Sequence, residues 1–240
     1  MASMKKTIIV MPVANEEDTI DELISQVLSL PYDNLHLYAI VDGFSKDKTE
    51  EIIKSYQKTG RVRCIFYEHS TGVISCYLEG YRNALEDGAE WIIEMDGGMS
   101  HLPSEIPQFI DALSEGYDCV WGSRFVDGGA MERSPIYRRI LSKGGTTLSN
   151  LVLRTRLKDM TSGFEAFQRY VLEKFDFDKF LSTGHMYQTE MRYYCRNYNT
   201  KEVPIYYTAG SSSLKLGSVT EALRILFQLK ENEKNVYKSQ

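Results

Sequence analysis

Hydrophobic positions change period several times along the first 122 residues. Residues 7–13 (TIIVMPV) form an unbroken apolar run, the pattern of a strand buried on both faces. Asn15 then reads as a helix N-cap with Asp18 three residues on, and Ile20, Leu23, Ile24, Val27 and Leu28 follow at helical spacing. Residues 35–42 predict a second strand, and 48–59 a helix closed by Gly60. Residues 62–66 are strand-like. Ile74, Tyr77, Leu78, Tyr81, Ala84 and Leu85 mark the next helix face, which ends near Gly88. Residues 91–95 and 119–122 predict a fourth and a fifth strand. Strands alternating with helices over short connections imply an α/β chain with a parallel sheet covered on both faces.

The second half is less regular. A glycine-rich loop at 127–130 precedes a predicted helix over 137–153, with further helices over 186–197 and 218–229 and a late strand over 202–207. Trp91, Tyr193 and Tyr194 read as core. No linker, repeat or low-complexity stretch divides the chain, so one domain is expected over 1–240.

Composition narrows the function. At 42% hydrophobic and 25% charged, the chain has the make-up of a globular protein. A net charge of −5 disfavours a general nucleic-acid binder. The charge is uneven, however: residues 121–170 hold nine Lys/Arg against four Asp/Glu. A basic segment in an acidic protein points to a local anionic ligand. Cys64, Cys76, Cys119 and Cys195 are far apart, which argues against a zinc site or a disulfide framework and suits a reducing compartment. No leader is recognisable, no apolar run reaches membrane-spanning length, and a cytoplasmic protein is expected.

Acidic residues recur just past predicted strand ends: Glu16 after the first, Asp42 at the end of the second, Asp96 after the fourth. Asp at a strand end is also ordinary turn chemistry. Three carboxylates at one edge of an open sheet, though, converge where such sheets bind ligands.

The order of segments resembles the family 2 inverting glycosyltransferases of GT-A fold, and within them the dolichyl- or polyprenyl-phosphate mannosyl- and glucosyltransferases. Met11-Pro12-Val13-Ala14-Asn15-Glu16 resembles the family's P-x-x-N-E segment. Ile40-Val41-Asp42-Gly43-Phe44-Ser45-Lys46-Asp47-Lys48-Thr49 resembles its V-D-D-G-S-x-D-x-T loop, and Met95-Asp96-Gly97-Gly98-Met99-Ser100-His101-Leu102-Pro103 its M-D-A-D-L-S-H-x-P loop. Trp121-Gly122-Ser123-Arg124-Phe125 is similar to G-S-R-Y. Tyr137-Arg138-Arg139 with Ser142, then Asp159-Met160-Thr161-Ser162-Gly163-Phe164, are similar to Y-R-R-x-x-S and D-x-T-S-G-F, and Glu202-Val203-Pro204-Ile205 to a late E-V-P-I strand. The resemblance covers roughly residues 6–217.

That resemblance implies a GT-A fold with a mostly parallel sheet, a nucleotide-binding half over about 5–122, an acceptor half over about 123–217, and a C-terminal helix over about 218–230. It implies a nucleotide-sugar donor held by Pro12, Glu16, Asp42 and Asp96, and a divalent cation, Mg²⁺ or Mn²⁺, at Asp96 with Ser100. Gly98 replaces the acidic residue that is normally the main metal ligand, so metal dependence is expected to be weaker than in relatives. Gly43 replaces the second Asp of the V-D-D loop. The acceptor implied is a polyprenyl phosphate whose phosphate is held by Arg124, Arg138 and Ser142. Arg138 and Ser142 are four apart, hence on one side of a helix. Asp96, Arg124 and Arg138 are the expected catalytic residues. Relatives carry an Arg before this late segment that is missing here, and Lys215 is expected to take over part of its contact with the acceptor phosphate.

Gly128-Gly129 reads either as a closing loop or as a flexible turn, the Thr161–Gly163 stretch as donor contact or tight turn, and His101 as loop packing. The stripe Val219, Ala222, Leu223, Leu226, Phe227 and Leu229 suits core packing, or a helix lying on a membrane surface. Two other functions fit the same residues: transfer to a saccharide hydroxyl in polysaccharide assembly, with Asp127 as base, and a nucleotide-binding relative without transfer activity.

Overall fold

The long apolar runs become the centre of the sheet. The computed structural model describes residues 5–132, 135–184, 186–208 and 217–237. In chain order the first half holds β1 (Thr7–Val13), α1 (Ile20–Leu28), β2 (Leu35–Asp42), α2 (Thr49–Tyr56), β3 (Val62–Tyr67), α3 (Val73–Glu86), β4 (Trp91–Glu94), α4 (Ile106–Ser114) and β5 (Cys119–Ser123). The second half adds β6 (Ala130–Glu132), α5 (Ile136–Leu153), β7 (Glu165–Gln168), α6 (Arg169–Leu172), α7 (Tyr187–Tyr194), β8 (Thr200–Pro204), β9 (Tyr206–Thr208) and α8 (Gly217–Val236).

Seven strands form one sheet in the order β3-β2-β1-β4-β7-β5-β8, and β6 pairs with β9 in a small second sheet. β1 runs parallel to β2 and β4, β2 to β3, and β5 to β8. β7 is antiparallel to both β4 and β5, so every strand of the large sheet except β7 points the same way. The second half thereby adds two strands to the sheet begun by the first, β7 between β4 and β5, and β8 at the edge.

Alternate residues of β1 and β2 feed two apolar layers. Ile8, Val10, Tyr38 and Ile40 pack with Tyr77 and Tyr81 of α3, Met191 and Tyr194 of α7, and Leu226 and Leu229 of α8. Ile9, Met11, Leu37, Ala39 and Val41 pack with Ile20 and Leu23 of α1, Ile53 of α2 and Phe109 of α4. The C-terminal stripe is therefore core packing, through Leu226 and Leu229, with Leu223 and Phe227 left exposed. Trp91, Tyr193 and Tyr194 are buried as expected.

Three local readings change. Asn15 is not the cap of α1. The N-cap position is Thr19, and Asn15 takes a left-handed conformation with φ 55°. That turn lets its Oδ1 accept from Lys46 N at 3.0 Å while its own N–H donates to Ser45 Oγ at 3.0 Å. The late strand breaks at Ile205 into β8 and β9. α8 extends beyond the predicted end, because Val236 is buried and Tyr237 Oη donates to Tyr194 O at 2.7 Å.

Candidate functional site

β1, β2 and β4 end side by side, and their following loops are laced together. Glu16 N donates to Thr49 Oγ1 at 2.8 Å, Glu17 N to Asp47 Oδ2 at 2.9 Å, and Lys48 N to Glu17 Oε2 at 3.1 Å. Asp42 is nearly buried and accepts from Phe44 N at 2.9 Å. Pro12 is buried within β1, against the Gly97 backbone. Gly43 has no space for a side chain, since a Cβ would lie 2.6 Å from Glu68 O.

Asp96 lies at the centre of this edge. Its Oδ1 accepts from Tyr77 Oη at 2.6 Å and its Oδ2 from Ser100 Oγ at 3.3 Å. Its N–H donates to Nδ1 of His101 at 3.2 Å. His101 is fully buried against Phe164, ring centroids 4.9 Å apart, and burial lowers its pKa below the usual value. A neutral imidazole that accepts at Nδ1 is a scaffold for the loop, the packing role expected of it. Burial raises the Glu16 carboxyl above its usual range; Thr19 opposes this by donating to it, and the charges of Asp47 and Asp96 add to it. Glu16 and Asp96 are thus close enough to repel.

The basic half meets this edge from β5 and α5. Arg124 is buried: its Nε and Nη2 donate to Asp159 Oδ2 and Oδ1 at 2.7 and 2.8 Å, and Nη2 also donates to Thr161 Oγ1. Burial pushes the Asp159 carboxyl up, but the Arg124 guanidinium outweighs it and holds the group below the usual range. Arg138 is half-buried in the first turns of α5, and Ser142 follows on the same side. That side docks on the same loop, where Met160 N donates to Thr146 Oγ1 at 3.1 Å. The 159–163 segment therefore braces Arg124 and α5 together. It ends beside Asp96, with an ideal Cβ on Gly163 only 3.8 Å from Asp96 Oδ1.

Nothing in the sequence pattern singles out Tyr207, yet it stands where the halves meet. Its ring lies 5.5 Å from the Arg124 guanidinium and 5.8 Å from the His101 ring. Burial raises its pKa, Asp96 raises it further, and Arg124 and Arg138 oppose the rise, so all three charges reach it. Asp127 is exposed in the turn at 126–129, where Gly128 has φ 89°. Lys215 lies outside the described residues.

Among the described residues, no three His, Cys, Asp or Glu side chains are grouped to hold a metal ion. The oxygen donors at the edge, Asp96, Ser100 and Glu16, nevertheless suit a hard cation, and Mg²⁺ sites commonly take one or two carboxylates and leave the rest to substrate phosphates and water. Glu16 reaches the place vacated at Gly98: an ideal Cβ there falls 2.9 Å from Glu16 Oε1.

A sheet of this order, with carboxylates at its carboxyl edge and a basic helix across from them, is the GT-A fold of nucleotide-sugar transferases. Glucosyl-3-phosphoglycerate synthase from Mycobacterium tuberculosis, solved with Mn²⁺, uridine diphosphate and phosphoglyceric acid, matches it with a TM-score of 0.67 at 16% identity, over 98% of this chain and 80% of that one. The model of glycosyl transferase family 2 matches residues 8–176, and the chain belongs to that family; it is a glycosyltransferase. A polyprenol monophosphomannose synthase from Mycolicibacterium smegmatis is 30% identical over 227 residues, spanning 91% of this chain and 84% of that protein. A dolichol-phosphate mannosyltransferase from Pyrococcus furiosus is 29% identical over 93% of this chain, which spans 63% of its length.

Proposed function

We propose that this chain transfers a sugar, with inversion, from a nucleoside-diphosphate sugar to the phosphate of a polyprenyl phosphate. The observation that carries the reading is the meeting of the two halves at Tyr207, whose ring lies 5.5 Å from the Arg124 guanidinium and 5.8 Å from the His101 ring that accepts from Asp96 N. Relatives named for transfer to polyprenol, dolichol and undecaprenyl phosphate support the acceptor, and all three are mannose enzymes by name, so a mannose nucleotide is the first donor to try.

In the mechanism, Glu16, Asp42 and Asp96 hold the nucleoside end of the donor. Arg138 and Ser142, with the part of Arg124 not engaged by Asp159, hold the acceptor phosphate. A phosphate oxygen, already ionised near neutral pH, attacks the anomeric carbon. The bond from that carbon to the leaving diphosphate oxygen breaks, and the nucleoside diphosphate departs. No general base is required, so positioning and charge stabilisation do the catalytic work. A divalent cation at Asp96 and Glu16 would neutralise charge on the leaving diphosphate.

The outer side of α5 supports a lipid acceptor. Ile136, Tyr137, Ile140, Leu141, Leu148 and Leu151 are all exposed there, Ile136 and Leu151 by about three quarters of their surface. A helix with this face lies readily on a bilayer, which would bring Arg138 to headgroup depth. No helix among the described residues is long and apolar enough to cross a membrane. The test is sugar transfer from a panel of nucleotide sugars to polyprenyl phosphate and to neutral saccharides. Transfer to the lipid phosphate is expected; transfer to saccharide hydroxyls alone would replace this reading with the saccharide alternative.

A further inference from the structure

Gly98 removes a carboxylate from the loop after β4, and the structure shows what fills the gap. An ideal Cβ at Gly98 would lie 2.9 Å from Glu16 Oε1, 3.3 Å from its Cδ and 3.4 Å from its Oε2. These contacts are tighter than a side chain and a carboxylate tolerate together, so a side chain at 98 and Glu16 in this orientation exclude one another. Glu16 is also aimed rather than loose. Its backbone N–H is fixed to Thr49 Oγ1, and its carbonyl accepts from Thr19 N and Ile20 N at the entry to α1. Thr19 Oγ1 donates to Oε2 at 3.1 Å, which leaves Oε1 as the oxygen directed at Gly98.

We propose that Glu16 stands in for the acidic side chain missing at 98, so that Glu16 and Asp96 form the protein's share of a divalent-cation site that the donor's diphosphate completes. Gly98 is then an exchange rather than a loss. The carboxylate comes from the loop after β1 instead of the loop after β4, and glycine is the residue that makes room for it. Two carboxylates, the Ser100 hydroxyl and two phosphate oxygens make an all-oxygen set of the kind Mg²⁺ and Mn²⁺ accept. With so few protein ligands, the cation should be held weakly until the diphosphate arrives. The proposal rests on the donor reading above and assigns Glu16 a role within it that nucleoside contact alone does not require.

The test measures binding rather than turnover. GDP and UDP are titrated calorimetrically into wild type, Glu16→Gln and the double variant Glu16→Ala/Gly98→Asp, which clears the space at 98, each with Mn²⁺ and each with EDTA, and free Mn²⁺ is followed by electron paramagnetic resonance. The expected result is that Mn²⁺ tightens diphosphate binding in wild type. Glu16→Gln should lose at least tenfold more affinity with Mn²⁺ than with EDTA, where only its nucleoside contact is lost, and the double variant should recover part of that difference. Thermal melts of the same proteins establish that each is folded. A wild type whose diphosphate affinity ignores Mn²⁺ would overturn the proposal. So would a Glu16→Gln variant that loses affinity equally with and without the cation, because Glu16 would then be only a nucleoside contact. Failure of wild type to bind either diphosphate under both conditions is a separate outcome that removes the donor reading itself.

Discussion

Arg124 donates through both Nε and Nη2 to the two carboxylate oxygens of Asp159, at 2.7 and 2.8 Å, and the side chain of Asp159 has no exposed surface. The planar fork expected to grip the acceptor phosphate is thus already closed on a protein carboxylate, and among the described residues only Nη1 remains without a protein acceptor. Arg124 should therefore serve folding as well as transfer. Arg138→Ala should cost about 1.5–3 kcal/mol of acceptor use, the range for hydrogen bonds to charged groups, roughly ten- to a hundredfold in transfer. Nucleotide affinity should be unchanged. Arg138→Lys should not restore full transfer, because an ammonium lacks the planar fork.

Arg124→Ala should instead unfold more easily. It leaves the buried Asp159 carboxylate without its guanidinium partner, and breaking such a pair costs on the order of 3–5 kcal/mol. Thermal midpoints of Arg124→Ala and wild type are the measurement, and equal midpoints would refute the structural role.

How much of this was legible beforehand follows from where the apolar residues fall. β1 is an uninterrupted buried run and β2 is broken only at half-buried His36, and the apolar pattern predicts both to the residue. β7 is not predicted by the pattern, because its sequence, Glu-Ala-Phe-Gln, lacks a strand period. It is tolerated in the middle of the sheet because buried Arg192, from α7, pairs with Glu165. Such a partner, distant in sequence, leaves no periodicity to read. The same holds at the site. Glu16, Asp42 and Asp96 were legible as strand-end acids, and Arg138 with Ser142 as one side of a helix. The closing of Arg124 on Asp159 and the place of Tyr207 depend on how β5, β9 and the 159–163 segment meet.

The pairing of β4 with β7 sets Glu94 opposite Glu165, both fully buried, with Arg192 bonded to Glu165 and Tyr81 to Glu94. Burial pushes the Glu165 carboxyl up to about 7, against the pull of the Arg192 charge. Burial and the Glu165 charge raise Glu94 well above its usual range. A carboxyl whose folded pKa is raised adds stability that is fully present below its ordinary value and is lost as pH rises through the folded one. Wild-type stability should therefore fall between about pH 5 and pH 8, and Glu165→Gln should flatten that part of the profile. Urea midpoints across this range check it; parallel profiles for the two proteins would contradict it.

The two motif glycines make opposite predictions. A Cβ at Gly43 meets backbone, 2.6 Å from Glu68 O and 3.0 Å from Glu68 C and Cα. At Gly98 the obstacle is the carboxylate end of the Glu16 side chain rather than backbone. Gly43→Ala should thus lose about 1–3 kcal/mol, the usual cost of overpacking that moves backbone, and Gly98→Ala much less. Denaturant midpoints of the two variants are the measurement, and similar losses would show that Glu16 is held more rigidly than its contacts imply.

α5 carries the last prediction, because its two sides do different things. The inner side, with Arg138, Ser142 and Thr146, faces the 159–163 segment; the outer side exposes Ile136, Ile140, Leu148 and Leu151. Exposed Arg139 and Lys143 flank that apolar face, the arrangement expected of a helix that rests on an anionic lipid surface. Removing one large aliphatic side chain from a partly buried interfacial position should weaken membrane binding by on the order of 1 kcal/mol, below the 1.5–3 kcal/mol of complete burial. Introducing a charge should cost more. Ile140→Asp and Leu151→Asp should therefore sediment several-fold less well with vesicles containing anionic phospholipid, and should transfer sugar more slowly to long-chain polyprenyl phosphate in those vesicles. Both residues are exposed, so thermal midpoints should be unchanged. Transfer to a short, water-soluble prenyl phosphate should be unchanged as well, since Arg138 and Ser142, the proposed phosphate contacts, lie on the other side of the helix. Wild-type sedimentation by both variants would exclude α5 as the surface that meets the lipid.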